Sequence, residues 1–261
     1  MRTSSYLIKP ASSICNMNCQ YCFYSDVSKQ RKDYSKGIMA KETVELLIDK
    51  ALNDAQEITF SFQGGEPTMA GLNYFVHFVE YVEKIKKNHI IHYSIQTNGY
   101  CLNDEWISFF DKYQFLVGIS LDGYKNIHDQ VRLKGTQPTF DKIINHIQKI
   151  QQRNIDYNIL TVVTSQMVPF AKEIYKFYKK QGFQYIQFIP CLPELDHSTE
   201  QYNLNPKDFY HFYHDIFELW YEDLKHGHYI SISFFEDLLM IFQGRYPRTC
   251  GMIGKCQIQL V

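Results

Sequence analysis

The chain carries at residues 15–22 the stretch Cys15-Asn16-Met17-Asn18-Cys19-Gln20-Tyr21-Cys22, in which the cysteines follow the spacing C-x3-C-x2-C. Three thiolates from so short a loop can hold three corners of a [4Fe–4S] cube, which leaves the fourth iron without a protein ligand. An open coordination position is what a reactive metal site requires. The alternatives are a structural zinc site and three unrelated thiols, but zinc needs a fourth ligand and the loop contains no further cysteine or histidine.

Strand-like and helix-like stretches alternate along the chain around this loop. Apolar or alternating runs predict six strands, at Tyr6–Lys9, Ile58–Phe62, Ile90–Thr97, Phe115–Leu121, Ile159–Val163 and Tyr185–Ile189. Helical spacing of apolar residues predicts helices at Val44–Ala51, Leu72–Val82, Asp104–Tyr113, Phe140–Ile150 and Val168–Gln181. Strict alternation predicts an α/β fold with a parallel sheet, because each return to a parallel neighbour needs a crossover. An open doubly wound sheet and a full or partial barrel both fit, and both place ligands at the carboxyl ends of the strands.

The alternation of predicted strands and helices ends after the sixth predicted strand. A proline-containing loop leads into an aromatic helix around residues 209–220 and an apolar segment at Phe234–Phe242, and Gly244–Pro247 reads as a turn-rich break. We therefore predict two regions, a core at residues 1–243 and the beginning of a second domain at residues 244–261.

The composition disfavours several classes of protein but does not indicate a function. The 261 residues include 27 Lys plus Arg and 28 Asp plus Glu, a balance that disfavours nucleic acid and anionic membranes as partners. No run resembles an export signal or approaches the ~20 apolar residues of a membrane helix. Seven unevenly placed cysteines without such a signal predict reduced thiols and a cytoplasmic location.

With a tyrosine before its last cysteine, the loop resembles that of the radical S-adenosylmethionine (radical SAM) enzymes. The resemblance implies a partial (β/α)6 TIM-like barrel, which agrees with the six strands predicted from the alternation. It also implies a [4Fe–4S] cluster held by Cys15, Cys19 and Cys22, with S-adenosylmethionine chelated at the open iron. One electron then splits the cofactor, and the resulting 5′-deoxyadenosyl radical abstracts hydrogen.

Four further positions match the family in order. The segment Gln63–Pro67, after the second strand, resembles the glycine-rich segment that binds the methionine amino group. Ser120 resembles a polar contact, Arg132 the partner of the methionine carboxylate, and Leu192 a backbone contact to the adenine. The cofactor-binding residues implied are Tyr21, Gly64, Gly65, Glu66, Ser120, Arg132 and Leu192. Taken alone, these residues also fit a tight turn, a strand cap and a solvated surface charge.

Seven stretches resemble the anaerobic sulfatase-maturating enzymes, namely Leu7–Ser13, Tyr21–Tyr24, Phe62–Thr68, Gln96–Gly99, Gly118–Gly123, Leu219–Asp223 and Cys250–Met252. This implies an oxidoreductase that converts a cysteine or serine of a sulfatase precursor to Cα-formylglycine. The implied partners are that precursor peptide and an electron donor such as ferredoxin or flavodoxin, and we expect a monomer without a nucleic-acid or membrane partner. Tyr24 corresponds to a substrate-facing residue, although an amphipathic, half-buried ring is the plain alternative.

Cys250 and Cys256 resemble the opening ligands of an auxiliary [4Fe–4S] cluster in the family's cysteine-rich carboxy-terminal (SPASM-type) domain. Two cysteines complete neither auxiliary cluster, and relatives place the remaining ligands and the expected aspartate base beyond the position of Val261. We therefore expect a truncated maturase that cleaves the cofactor but does not turn over a sulfatase peptide.

Two other functions fit the same residues. One is another peptide-modifying radical SAM maturase, such as a thioether-forming enzyme, and the other is a non-catalytic, cluster-containing peptide-binding protein. Outside the motifs, we predict Cys101 and Cys191 as small buried hydrophobes and the ten histidines as surface residues without a metal role.

Overall fold

Seven parallel strands form the main sheet of the computed structural model, which describes residues 2–195, 201–249 and 252. In the order in which they are hydrogen-bonded, they are β1 (Thr3–Ile8), β2 (Glu57–Phe62), β3 (Ile90–Thr97), β4 (Leu116–Ser120), β7 (Tyr157–Val163), β8 (Tyr185–Pro190) and β9 (Ser231–Ile232). The short strands β5 (Leu133–Lys134) and β6 (Gln137–Pro138) make a separate antiparallel hairpin.

The strand order decides between the two architectures that the alternation left open. A doubly wound sheet reverses its strand order at a switch point, whereas here each strand of the main sheet pairs with the next one in sequence. Right-handed crossovers in one direction place every helix on the same face of the sheet, as in a barrel. Among the described residues no ladder joins β1 to β9, so the sheet is open.

Helices fill the connections between the strands. They are α1 (Phe23–Lys29), α2 (Lys41–Asp54), α3 (Leu72–Ile85), α4 (Asp104–Lys112), α5 (Lys125–Val131), α6 (Phe140–Gln152), α7 (Ala171–Lys180), α8 (Pro206–Lys225) and α9 (Ser233–Phe242). The helix predicted from Val168 begins at Ala171, because residues 165–170, with Pro169 among them, form a 3-10 turn. No helix in the described part of the chain is both long enough and apolar enough to span a membrane.

Aromatic side chains fill much of the space between the sheet and its helices. Phe62 of β2 meets Phe75 and Phe78 of α3 edge to face, with ring centres 4.9 and 5.0 Å apart. Edge-to-face pairs add about 0.5–1.5 kcal/mol beyond the burial of apolar area. This packing fixes the strands side by side, so their carboxyl ends and the loops that follow meet at one edge of the sheet.

Four elements were not predicted from the sequence: α1, α5, the β5–β6 hairpin and the two-residue strand β9. The predicted domain boundary at residue 243 stays a prediction, although α9 does end at Phe242. Cys250 and Cys256 lie outside the described residues.

Candidate functional site

A cavity of about 440 Å³ opens at the carboxyl ends of the strands. Within the described chain, its lining includes all the residues predicted to bind the cluster, the cofactor or the substrate. These are Cys15, Cys19, Tyr21, Cys22, Tyr24, Gly64, Gly65, Glu66, Ser120, Arg132 and Leu192. Residues as far apart in sequence as 15 and 192 therefore share one pocket.

The cysteine loop is held by backbone hydrogen bonds to the last residue of α5 and to the first residue of β5. The amide of Asn18 donates to the Leu133 carbonyl, and that of Gln20 to the Val131 carbonyl, both at 2.9 Å. At its end the loop turns into α1, where Cys22 is the N-cap and its Sγ accepts from the Ser25 amide at 3.4 Å. The helix start therefore aims an amide N–H at a predicted metal ligand.

The thiols of Cys15 and Cys19 lie beside polar groups of other segments. The Cys15 sulfur accepts from the Met17 amide (3.4 Å) and lies 3.8 Å from Asn98 Nδ2, and the Cys19 sulfur lies 3.8 Å from Arg132 Nη1. Desolvation raises the pKa of the Cys15 thiol to about 11 and that of the Cys19 thiol to about 12. Bound metal removes the thiol proton, so these groups fit metal ligation better than free reactive thiolates.

The set of donors in the cavity favours an iron–sulfur cluster over a structural zinc site. Structural zinc takes four cysteine or histidine ligands. The cysteine loop supplies three, the described lining contains no histidine, and the remaining cysteine of the lining, Cys191, follows β8 and directs its thiol to the Leu192 carbonyl at 3.7 Å. The three-cysteine site fits a [4Fe–4S] cube with one iron left open.

The glycine-rich segment lies directly on the backbone that leads into the cysteine loop. A Cβ on Gly65 would contact the Ile14 carbonyl oxygen and come within 2.6 Å of the Ser13 carbonyl carbon. Gly64 has a φ of +131°, a backbone conformation that favours glycine. The glycines are thus required by chain-on-chain packing, in addition to lining the cavity.

Glu66 is a buried hub between this segment and β3. Its Oε1 accepts from the Thr68 amide (3.0 Å) and from the Thr68 and Thr97 hydroxyls (each 2.7 Å), and its Oε2 accepts from the Asn98 amide (2.7 Å). Burial raises the pKa of the Glu66 carboxyl, and these hydrogen bonds oppose the rise. Among the described residues, Oε2 has a single donor, the Asn98 amide, and so retains capacity for one more, such as a ligand ammonium group.

Arg132 is buried, with 6% of its surface exposed, and forms an ion pair with the wholly buried Asp122. Its Nε donates to Asp122 Oδ2 at 2.7 Å, and the Tyr21 hydroxyl donates to the same oxygen. The Val162 amide donates to Asp122 Oδ1 at 3.0 Å. Burial alone lowers the pKa of Arg132, but the charge of Asp122 holds it well above its usual value. A solvated surface charge is thus excluded for Arg132. Its Nη1 lies near the Cys19 sulfur, and Nη2 remains for a ligand carboxylate.

Tyr24 and Leu192 also line the cavity. Gln63 Nε2 donates to the Tyr24 hydroxyl at 2.9 Å, and the Lys9 ammonium lies 5.5 Å from the centre of its ring. Burial, followed by the charge of Cys22, raises the pKa of Tyr24. Leu192 follows β8 and is 65% exposed, which suits a contact made by its backbone.

Several polar residues line the cavity without having been assigned a role from the sequence: Gln63, Gln96, Thr97 and Asn98. All four lie at or just after the end of β2 or β3. Ligands of parallel sheets bind at the carboxyl ends of the strands, so the position of these residues in the sequence could have identified them. Cys191 also lines the cavity and is buried, as predicted.

Two predictions outside the motifs are wrong. Cys101 is exposed rather than buried, because the turn after β3 gives the buried position to Leu102. His128 and His146 are buried rather than on the surface. His128 accepts from the Asp122 amide at Nδ1, and His146 Nδ1 pairs with the Gly99 carbonyl at 2.7 Å, so both rings find hydrogen-bond partners in the interior.

Comparison with known proteins agrees with this geometry. The radical SAM superfamily model matches residues 10–194. The cysteine-type anaerobic sulfatase-maturating enzyme of Clostridium novyi is 44% identical over all of this chain and 71% of its own length. The serine-type enzyme of Bacteroides thetaiotaomicron is 28% identical over 96% of this chain and 64% of its own length.

Solved structures give the same result. Native anSMEcpe with bound AdoMet superposes with a TM-score of 0.93 at 40% identity, and the match covers 99% of this chain and 71% of that one. The complex of anSMEcpe with AdoMet and the Cp18Cys peptide gives a TM-score of 0.91 at 39% identity over the same shares. Streptococcus suis SuiB, with a TM-score of 0.66 at 16% identity over 87% of this chain and 49% of its own, shares the fold.

Proposed function

We propose that this chain, which belongs to the radical SAM superfamily and within it to the anaerobic sulfatase-maturating enzymes, oxidises a side chain of a sulfatase precursor to Cα-formylglycine. The observation that carries the proposal is the single cavity that joins the cysteine loop to the glycine-rich segment and to Ser120, Arg132 and Leu192. Such a cavity could hold a cofactor that chelates an open metal position, together with the side chain of a substrate peptide.

The described residues would hold the metal group and S-adenosylmethionine in separate parts of this cavity. Cys15, Cys19 and Cys22 would bind a [4Fe–4S] cluster, which when bound supplies an open iron and one electron for cleavage of the sulfonium. Arg132 Nη2 would bind the cofactor carboxylate, and Glu66 Oε2 would accept from its ammonium group. Tyr21, which hydrogen-bonds Asp122, and Leu192 would contact the rest of the cofactor.

Tyr24 would contact the substrate. Oxidation of a cysteine side chain requires loss of a hydrogen atom from Cβ, of the thiol proton and of one further electron, and water then replaces sulfur with oxygen. Gln63 fixes the Tyr24 hydroxyl by a 2.9 Å hydrogen bond, so the ring is oriented before a peptide enters. Orientation of this kind removes part of the entropic cost of reaching the reactive geometry.

We further propose that the preferred target is cysteine. The cysteine-type enzymes of Clostridium novyi and Clostridium perfringens are 44% and 40% identical to this chain. The serine-type enzymes of Bacteroides thetaiotaomicron, Klebsiella aerogenes and Klebsiella pneumoniae are 28–29% identical. A relative that acts on a given target is a better guide to specificity when its sequence is closer.

The deciding experiment uses protein reconstituted with iron and sulfide under anoxic conditions. With S-adenosylmethionine and dithionite we expect 5′-deoxyadenosine from this chain. If the cysteine of an added Cys-x-Pro-x-Arg peptide also loses two hydrogens and exchanges sulfur for oxygen, the expectation that the chain does not turn over a sulfatase peptide is wrong. Exchange of sulfur for oxygen in this peptide, with no thioether formed in a leader-bearing ribosomal peptide, supports the proposal. Absence of 5′-deoxyadenosine from iron-loaded protein would overturn it.

Cys250 and Cys256 are proposed as two of the ligands of an auxiliary cluster, which needs further ligands besides them. Iron content distinguishes the two kinds of site, because replacing Cys15, Cys19 and Cys22 by alanine removes one cubane. Replacing Cys250 and Cys256 by alanine should lower the iron content of the parent chain only if the auxiliary cluster assembles there.

A further inference from the structure

A second cavity, of about 280 Å³, lies between α5 and the 3-10 turn that follows β7. Side chains of α5, among them Asn126 and Gln130, form one wall, and Gln166 and Phe170 of the turn form the other. Thr164, the residue between β7 and the turn, also lines it. We call this cavity the side cavity.

The Thr164 hydroxyl has no hydrogen-bond partner in the described chain, although only 1% of the residue's surface is exposed. Thr164 is the N-cap of the 3-10 turn, where a threonine hydroxyl ordinarily accepts from an amide two or three residues ahead, yet its side chain makes no such bond. The described side-chain atoms that are wholly enclosed without a partner belong to other residues, so this hydroxyl keeps some contact with the side cavity. Burial of a hydroxyl without a partner is unfavourable, and a ligand in the side cavity can supply the missing bond.

The lining of the side cavity combines neutral hydrogen-bonding groups with aromatic rings. The exposed side-chain amides of Asn126, Gln130 and Gln166 each offer two donors and an acceptor, and no hydrogen bond within the described chain uses them. The Tyr124 and Phe170 rings meet edge to face, with centres 6.5 Å apart. No described charged side chain lines the side cavity. Such a lining favours an uncharged ligand that both donates and accepts hydrogen bonds, and a peptide backbone has this chemistry.

Charged residues next to this lining in sequence are bound elsewhere. Lys125 pairs with an aspartate of α6, and Asp129 accepts from two amides at the start of α6. Arg132 pairs with the buried Asp122. Beyond the 3-10 turn, Lys172 pairs with two acidic residues of α8. None of these charges is left for a ligand of the side cavity.

The side cavity adjoins the 440 Å³ cavity of the candidate site. Leu160 and Val162 of β7 line the larger cavity, and Thr164 lines the side cavity two residues further on, within about 7 Å along the chain. At the end of α5, Val131 lines the side cavity and Arg132 lines the larger one. A polypeptide whose target side chain occupies the larger cavity therefore reaches the side cavity within a few residues.

We propose that the side cavity binds the backbone of the substrate polypeptide, at residues that flank the target side chain. The inference rests on the proposed function and adds to it a subsite outside the cofactor-binding cavity. The Thr164 hydroxyl bonds one backbone group of the bound segment, and the amides of Asn126, Gln130 and Gln166 bond the groups around it. Binding at a subsite of this kind orients the target residue without contact with the reacting atoms.

The test compares the binding of two labelled peptides to the reconstituted chain with S-adenosylmethionine present, measured by fluorescence anisotropy. The short peptide is Cys-x-Pro-x-Arg, and the long peptide carries about eight further uncharged residues on each side, which span roughly 26–29 Å when extended. We expect the parent chain to bind the long peptide at least about fivefold more tightly than the short one, because several hydrogen bonds are added.

The variant Thr164→Val removes the hydroxyl and keeps the shape of the side chain. It should raise the Kd for the long peptide about two- to tenfold, the loss expected for one hydrogen bond, and leave the Kd for the short peptide unchanged. Because the hydroxyl has no partner in the free chain, the urea midpoint should not fall. An unchanged midpoint with weakened binding separates a binding role from a structural one.

A second variant removes amides of the side cavity instead of the hydroxyl. Asn126→Ala/Gln130→Ala should also weaken only the long peptide. The matched control, Asn145→Ala/Gln148→Ala, changes the same residue types at exposed positions of α6 and should bind both peptides as the parent does.

Equal Kd values of the parent for the two peptides would overturn the proposal. So would a parental Kd of Thr164→Val for the long peptide, and so would a change in sedimentation of this variant without a change in peptide binding, which would assign the side cavity to a second copy of the chain. If the parent forms no 5′-deoxyadenosine with dithionite, the proposed function fails, and the Kd comparison still decides whether the side cavity binds a polypeptide.

Discussion

At the scale of single residues, Asp122 determines where two predicted cofactor contacts lie. Its carboxylate accepts from Tyr21, from Arg132 and from the Val162 amide, and none of its surface is exposed. A buried cation that loses its counter-ion costs about 3–5 kcal/mol. We therefore expect Asp122→Asn to lower the free energy of unfolding by roughly that amount in urea titrations.

Asp141→Asn serves as the control for this prediction. It breaks an ion pair with Lys125 in which both partners are largely in water, so stability should change little. Equal urea midpoints for Asp122→Asn and Asp141→Asn would show that the buried pair contributes no more than the exposed one.

His128 predicts a pH dependence of stability from the same region. Its Nδ1 accepts from the Asp122 amide at 3.2 Å, so Nε2 carries the proton that faces the Thr139 hydroxyl at 3.1 Å. Burial, and then the charge of Arg132, lower the pKa of His128 well below 6.5. The unfolded chain therefore binds a proton below pH ~6.5 that the folded chain does not, and stability falls by about 1.4 kcal/mol for each further unit of acidification.

Urea titrations between pH 7.5 and 5.5 check this slope. The variant His128→Gln has no imidazole to protonate there and should show a shallower loss of stability on acidification than the parent. His211→Gln removes an exposed ring of α8 and should keep the parental slope. A parental slope in His128→Gln would contradict the argument.

The sequence predicts which residues bind and react, and those within the described chain line one cavity, but it does not predict their internal partners. Three cysteines within eight residues, and two glycines before Glu66, are local signals that need no knowledge of the fold. The pairing of Arg132 with Asp122, and the four hydrogen bonds of Glu66, depend on strands that lie dozens of residues apart. Such contacts between residues far apart in sequence cannot be predicted from the spacing of residues along the chain.

At the scale of elements, long periodic segments were predicted and short ones were not. Six strands and the helices from α2 to α9 that have an apolar stripe agree with the sequence within a few residues. In contrast, α1 has seven residues, of which only Ser28 is buried, and its start is set by the Cys22 sulfur. A short helix whose start is fixed by its cap and by the preceding cysteine loop lacks the periodic pattern of apolar residues from which a helix is predicted.

Gly65 makes a prediction about how two elements fit together. A methyl group at this position would meet the backbone of Ser13 and Ile14, so Gly65→Ala must push the glycine-rich segment away from the cysteine loop. Overpacking of this kind costs about 1–3 kcal/mol. We also expect the displaced loop to bind much less iron after reconstitution, measured by iron analysis per chain.

Gly37→Ala is the matched glycine variant. Gly37 has a φ of +77° but nothing within 4 Å of the added methyl group, so this change strains the backbone without touching the cysteine loop. It should lose stability and retain parental iron content. Parental iron content in Gly65→Ala would contradict the close-packing argument.

At the scale of the whole molecule, an open sheet must bring its two ends together around one cavity. The cysteine loop follows edge strand β1, whereas Leu192 follows β8, which pairs with the other edge strand. The described structure shows one hydrogen bond that spans this gap directly: the Leu195 amide donates to Asp26 Oδ2 of α1 at 3.0 Å. These partners are 169 positions apart in sequence.

The bond between Asp26 and Leu195 predicts local rather than global behaviour. It joins two exposed segments, so Asp26→Ala should leave the urea midpoint almost unchanged, because the core under the sheet is untouched. A hydrogen bond of this kind contributes about 0.5–1.5 kcal/mol, so the Leu195 amide should exchange with deuterium about two to ten times faster in the variant. Asp33→Ala removes an exposed ion pair with Lys36 and should leave that amide unaffected. If Leu195 exchanges at the parental rate in Asp26→Ala, the two ends of the sheet are held together by other contacts.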